Sequence, residues 1–193
     1  MNFTEVVAEV VSITKRPDKI ADIRREVNKA INFCCLETNF ANDFFEQELA
    51  VDSNSYNLTI DLLNDLTRFR KFIYIRPVDR TAMLCHINPA QAFKGGKERK
   101  DSYYVASSTA VIRLSAPTSS LIIGYMQYPP VLTDDSPDFW LLAISPYMVI
   151  DLAAAMVFKN IGNNEEYTTH YQQFTAAYAS ACRDYRLGQN YGV

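Results

Sequence analysis

The chain has 193 residues, of which 48% are hydrophobic and 21% are charged, and its formal net charge is −3. This composition is close to the globular average and excludes an intrinsically disordered chain. A net negative charge gives no electrostatic reason for the surface as a whole to bind nucleic acid, and the length fits one domain or one domain with a sizeable insertion.

Residues 1–42 predict a helical hairpin. An apolar stripe at positions 6–13 follows two capping candidates, Asn2 with Glu5 or else Thr4, and Pro17 is well placed in the first turn of a second helix. The second stripe repeats every 3.6 residues through positions 20–34. Both helices are amphipathic, so they need other elements to pack against. The N-terminus lacks the basic-then-apolar pattern of a signal peptide, which predicts synthesis in the cytoplasm.

Residues 43–130 have a different character. Short runs rich in β-branched and aromatic residues alternate with turn residues, a pattern typical of an antiparallel sheet or a small barrel. The predicted strands cover residues 45–51, 56–60, 69–76, 82–87, 103–106, 110–114 and 121–128.

Residues 131–187 predict the C-terminal helices, and residues 188–193 predict a flexible tail. The acidic segment 134–138 is typical of a helix start, and Gly162 is a good helix stop. A last helix carries a stripe of aromatic side chains that ends at Tyr185. The fold class expected for this single domain is therefore α+β, with N- and C-terminal helices packed as a bundle and a central antiparallel β insertion.

Residues 139–158 are mostly apolar and long enough to cross a bilayer. Pro146 and Asp151 lie near the middle of this segment, and a central Asp costs about 2.5–3.5 kcal/mol on insertion scales. A helix that is hydrophobic nearly all round is equally typical of a protein core. We therefore expect a buried helix and no membrane contact.

The residues that carry chemistry form no recognisable catalytic set. Four cysteines without a C-x-x-C pair are expected to be reduced thiols. His86 and His170 have no second ligand at a metal-binding spacing, so neither a metal nor a cofactor is expected. Cys85 precedes His86, but neighbours on a strand point to opposite faces and would not form a nucleophile–base pair.

Two carboxylates give one alternative function. Glu46 and Glu48 would share a face of their strand roughly 6.6–7 Å apart, near the carboxylate separation of inverting glycosidases. A cell-wall hydrolase is therefore one hypothesis. The alternation of charged and apolar residues in this strand is also what a half-exposed strand requires, and this explanation is favoured.

A basic and aromatic strand gives a second alternative. Placed on one strand, Arg68, Arg70, Phe72, Tyr74 and Arg76 would share a face, the combination that stacks single-stranded bases. A nucleic-acid-binding module is thus possible. Because Arg and Tyr are enriched at protein interfaces, a rim strand that meets a neighbouring subunit is preferred. Residues 94–100 resemble a phosphate loop only superficially and predict an exposed charged turn.

Several segments, in order, resemble the head-to-tail adaptor (connector) family of short-tailed bacteriophages. They are Ile-Thr-Lys-Arg-Pro-Asp at 13–18, Arg-Phe-Arg-Lys at 68–71, Tyr-Ile-Arg at 74–76, Ile-Asn-Pro at 87–89, Tyr-Tyr at 103–104, Ile-Gly-Tyr at 123–125, Asp-Leu-Ala-Ala-Ala at 151–155 and Phe-Lys-Asn-Ile-Gly at 158–162. The succession covers nearly the whole chain, although no single segment is diagnostic.

The resemblance implies a structural virion protein at the head–tail junction and no enzymatic activity. It implies a ring, expected to be a dodecamer, that bridges the portal protein and a tail or nozzle protein. Double-stranded DNA would pass through its lumen without sequence recognition. Family members often carry a longer C-terminal arm, so the short tail here leaves open which end docks on the portal. The interface candidates are Arg68, Arg70, Tyr74, Arg76, Lys94, Lys97, Tyr185 and Tyr191.

Overall fold

The computed structural model describes residues 1–92 and 99–185. The chain divides into two compact units, one made of Met1–Asp43 with Tyr128–Val193 and the other of Phe44–Gln127. The first unit holds the helices from both ends of the chain, and the second holds the strands. The predicted α+β class, with terminal helices and a central antiparallel insertion, is confirmed.

Among the residues that the structure describes, the helical unit contains five α-helices. They are α1 (Phe3–Thr14), α2 (Ile20–Glu37), α3 (Trp140–Ile144), α4 (Pro146–Asn160) and α5 (Asn164–Tyr185). The predicted start of α1 is confirmed, because the Asn2 side chain accepts from the Glu5 N–H and the Glu5 carboxylate accepts from the Asn2 N–H. This reciprocal cap satisfies two N–H groups that a helix start otherwise leaves unpaired. After α1, Lys15 adopts a left-handed conformation (φ 52°), and Pro17 begins a short 3-10 turn that leads into α2.

Helix α4 lies at the centre of the helical core. It packs against α1, α2 and α5, and nine of its fifteen residues are buried. The apolar segment predicted as one helix is interrupted, because α3 ends at Ile144 and Pro146 opens α4. A proline at a first helical position has no N–H to lose, so the break is compatible with its chemistry. Within the described ranges, no helix combines the length and apolarity needed to cross a bilayer.

Within residues 44–92 and 99–127, the strands of the β unit form two sheets. The three-stranded sheet has the order β1 (Phe44–Ala50), β7 (Ser120–Gln127), β3 (Phe69–Pro77), and both pairings are antiparallel. The four-stranded sheet has the order β2 (Asn57–Asp61), β6 (Thr109–Arg113), β5 (Ser102–Ala106), β4 (Cys85–His86). Only two residues of the predicted strand 82–87 form β4, and β4 pairs with β5 in parallel. The other two pairings in this sheet are antiparallel.

The two sheets share one hydrophobic core. Ile123 and Tyr125 of β7 are fully buried in it, together with Ile60 of β2 and Ile112 of β6. β2 shows the alternation of exposed and buried residues that its period-2 pattern predicts, whereas β7, the middle strand of its sheet, is buried or half-buried along its whole length.

Candidate interaction surface

The basic and aromatic segment lies at the edge of the three-stranded sheet. Arg68 precedes β3 in a left-handed conformation (φ 52°), and its guanidinium donates to the Gln127 side-chain oxygen at 2.8 Å. Arg70, Tyr74 and Arg76 are half-buried on the strand itself. The four predicted interface residues of this segment therefore lie on or next to one sheet edge.

Two irregularities in β3 change which side chains share a face. The register with β7 shifts between Phe69 and Lys71 and again between Phe72 and Tyr74. Each extra residue resets the alternation of the strand. The prediction that Arg68, Arg70, Phe72, Tyr74 and Arg76 share one face is therefore wrong, because Phe72 packs into the core of the β unit.

The opposite face of the sheet is built around Gly124. Lys71, Tyr74 and Arg76 lie opposite Met126, Gly124 and Ile122 in the register. The Tyr74 ring covers Gly124 so closely that an added Cβ would lie 2.6 Å from the Tyr74 Cε1 atom. Phe44 of β1 extends this aromatic contact, with ring centroids 6.2 Å apart. This face therefore carries an aromatic centre with cationic side chains along the β3 edge.

The cations of β3 differ in their surroundings. Lys71 is exposed, and partial burial of its ammonium, followed by the charge of Arg70, lowers its pKa. The Arg76 guanidinium donates to the Arg80 carbonyl at 3.3 Å, which ties it to the turn that follows the strand. Lys71 has no acidic partner among the residues that the structure describes.

The other edge of the same sheet is acidic. Glu46 and Glu48 of β1 are exposed and point to the same face as Tyr74, since Glu46 pairs with Gly124 and Glu48 with Ile122. The Glu48 carboxylate accepts a hydrogen bond from the Ser120 hydroxyl, and Glu46 has no partner in the described ranges. One sheet thus has carboxylates along one edge and cations along the other. Sequence reasoning missed this because it depends on the strand order.

The geometry gives little support to the two alternative functions, a nucleic-acid-binding module and a cell-wall hydrolase. A stacking platform for bases needs several aromatic rings on one open face, and the β3 irregularities divert Phe72 into the core. The Glu46 and Glu48 carboxylates lie on an exposed sheet face, whereas glycosidases enclose their carboxylates around the sugar.

The two histidines and Cys85, whose side chains could carry chemistry, contact neighbouring side chains of the fold. His170 of α5 pairs its Nδ1 with the Asp151 carboxylate of α4 at 2.9 Å, and its ring stacks on Phe158. His86 packs against Tyr103, and the exposed Cys85 receives a long contact from Arg99 at 3.5 Å. Asp151 therefore makes a polar contact between α4 and α5.

A second polar cluster joins α2 to α5. The Thr38 hydroxyl lies 2.7 Å from the Tyr178 hydroxyl and 3.1 Å from the Cys182 sulfur. Cys34 is fully buried one turn earlier on α2, and burial, followed by the charge of Cys182, raises the pKa of its thiol to about 12. Burial is also the main cause that raises the pKa of Tyr178 to about 12. Cys34 and Tyr178 therefore remain in their neutral forms at physiological pH.

The remaining interface candidates fall in different places. Tyr185 lies in the last turn of α5, half-buried against the helical core. Lys94, Lys97 and Tyr191, and the tail at 188–193, lie outside the described residues.

Comparison with known proteins identifies the family of structural proteins that this chain resembles. Residues 1–191 match the model of a family of phage head–tail adaptors, which are structural proteins. The family is described as SU10 adaptor protein, and the chain belongs to it. No curated protein matches the chain.

Proposed function

We propose that the protein forms a ring, a dodecamer, between the portal and the tail of a phage virion. The observation that carries this proposal is the family match, which extends over residues 1–191 and therefore includes both units. The whole chain would act as one adaptor, and it would do so without making or breaking a covalent bond.

Exposed apolar side chains on the helical unit support a role in protein contacts. Phe33 and Ile161 are 42% and 40% exposed. They line a groove of about 720 Å³ between α2 and α4, together with the half-buried Met156. Charged side chains, among them Arg25, Lys29 and Lys159, line the same groove, and a surface that combines apolar and charged groups is typical of protein interfaces. We assign this face to contacts with a neighbouring subunit in the ring or with the portal protein.

The charge of the chain suits a channel for DNA. A net charge of −3 gives the ring no overall attraction for the phosphate backbone. DNA would then pass through the lumen without being retained by the surface as a whole. The strand residues Arg70, Tyr74 and Arg76 would meet a neighbouring subunit and not the DNA.

Electron microscopy of the protein mixed with its portal protein tests the proposal. An additional ring on the tail-facing end of the portal is the expected result. The free protein is expected either as a ring or as a monomer that assembles on the portal, because docking can drive ordering. Portal particles that remain unchanged at saturating adaptor would contradict the proposed function.

A further inference from the structure

Strand β1 has an open edge. The Val51 N–H donates to the Ser119 carbonyl at 3.0 Å, which continues the hydrogen-bond ladder with β7. This bond shows that the backbone groups of Val51, and of every second residue before it, point toward β7. Backbone groups at Glu46, Glu48 and Ala50 must therefore point away from β7, because hydrogen-bonded and outward residues alternate in a strand. Within residues 1–92 and 99–185, no strand pairs with this outer edge.

The charges on this edge limit what can bind to it. Exposed carboxylates on an open edge prevent pairing with a like edge, a common protection against aggregation. Two β1 strands that met around a twofold axis would bring Glu46 and Glu48 against each other. A basic edge would instead be attracted, and β3 supplies one at the far side of the same sheet, with the exposed Lys71.

We infer that the β1 edge of one copy binds the β3 edge of the next copy, so that the three-stranded sheet continues from subunit to subunit around the ring. Glu46 and Glu48 of one copy would lie against Lys71, on the open first half of β3 of its neighbour. This inference rests on the proposed function and names the surfaces that would form the ring contact.

The symmetry of such a contact agrees with a ring. The two binding surfaces are different, so the contact is heterologous, and heterologous contacts close into rings or continue as filaments. A sheet with one acidic and one basic edge favours this arrangement over a twofold dimer, in which like edges meet.

The strand directions also agree with a ring of many subunits. β1 and β3 both run antiparallel to β7, so they are parallel to each other. In a dodecamer, neighbouring subunits differ by a rotation of about 30°, which cannot reverse a strand. The β1 strand of one copy would therefore approach β3 of the next in a parallel orientation.

Only part of the β3 edge is open to a neighbour. The Leu84 N–H donates to the Ile75 carbonyl at 2.8 Å, and the Arg80 N–H donates to the Pro77 carbonyl at 3.3 Å. These bonds occupy the outer side of the second half of β3. Backbone pairing would therefore involve the first half, around Phe72 and Ile73, and Ile73 is 41% exposed.

A charge exchange in the full-length protein tests the contact. Glu46→Lys and Lys71→Glu each place like charges across the interface, and each should weaken adaptor assembly on the portal by about tenfold. The double variant reverses both charges and should restore assembly. Glu9→Lys, an exposed change of the same charge on α1, is the control and should assemble as the wild type does.

The readout is the number of adaptor subunits per portal particle, measured by native mass spectrometry after circular dichroism has verified folding. Single variants that assemble normally, or a double variant that stays as weak as the singles, would overturn the inference. Wild-type protein that adds no ring to the portal would instead overturn the proposed function. The two failures are therefore distinguishable.

Discussion

Gly124 has no room for a side chain, because the Tyr74 ring occupies the space above it. Gly124→Ala forces Tyr74 to move and should destabilise the protein by about 1–3 kcal/mol, a typical cost of overpacking. Urea denaturation measures the change. The effect should shrink in a Tyr74→Ala background, since neighbouring substitutions are not additive. Equal costs in both backgrounds would show that the close contact is not the cause.

Cys34 and Cys85 should differ greatly in reactivity. Burial raises the pKa of the Cys34 thiol to about 12, and a pKa three units above the usual 9.0 lowers the thiolate fraction roughly a thousandfold below pH 9. Cys85 is exposed. Maleimide labelling followed by mass spectrometry should modify Cys85 first and Cys34 only after unfolding. The control is Cys85→Ser, which should remove the rapid phase of labelling. Rapid labelling of Cys34 in the folded protein would contradict the prediction.

At the scale of elements, the Asp151–His170 pair joins α4 to α5. Both side chains are mostly buried, with exposures of 16% and 14%. Asp151→Ala leaves His170 without this partner and should cost about 1–3 kcal/mol, the typical cost of leaving a buried polar group without a hydrogen bond. Chemical denaturation measures the loss. Asp22→Ala, which removes exposed ion pairs on α2, should cost less than about 1 kcal/mol. Similar costs at the two sites would refute the role of the pair.

The elements themselves could largely be predicted, because their signals are local. Six of the seven strands lie close to their predicted positions, and the Asn2 cap of α1 was readable from the spacing of Asn2 and Glu5. The irregularities of β3 could not be predicted, since a register shift depends on the partner strand. They moved Phe72 to the other face and changed the predicted basic-aromatic surface.

The candidate surface required the strand order as well. Glu46 and Lys71 are both visible in the sequence, but only the order β1-β7-β3 places them on opposite edges of one sheet. Similarly, the sequence shows Asp151 in an apolar segment without showing that His170 of α5 lies within 2.9 Å. Long-range pairings of this kind carry no local signal in a single sequence.

At the scale of the whole molecule, the chain is organised around its two compact units. Helices from both chain ends form one core, and the inserted strands form another with oppositely charged sheet edges. A heterologous contact between these edges would depend on electrostatic attraction, so assembly should weaken as salt screens the charges. The Glu46→Lys variant should show a weaker salt dependence than the wild type, because Glu48 is then the remaining carboxylate of the pair at this contact.

The mass of the complex between this chain and its portal protein tests the central claim most directly. The account predicts that the portal gains twelve copies of a 22.0 kDa subunit in one cooperative step, with no smaller adaptor-bound species accumulating. A portal mass that does not change at saturating adaptor would contradict it.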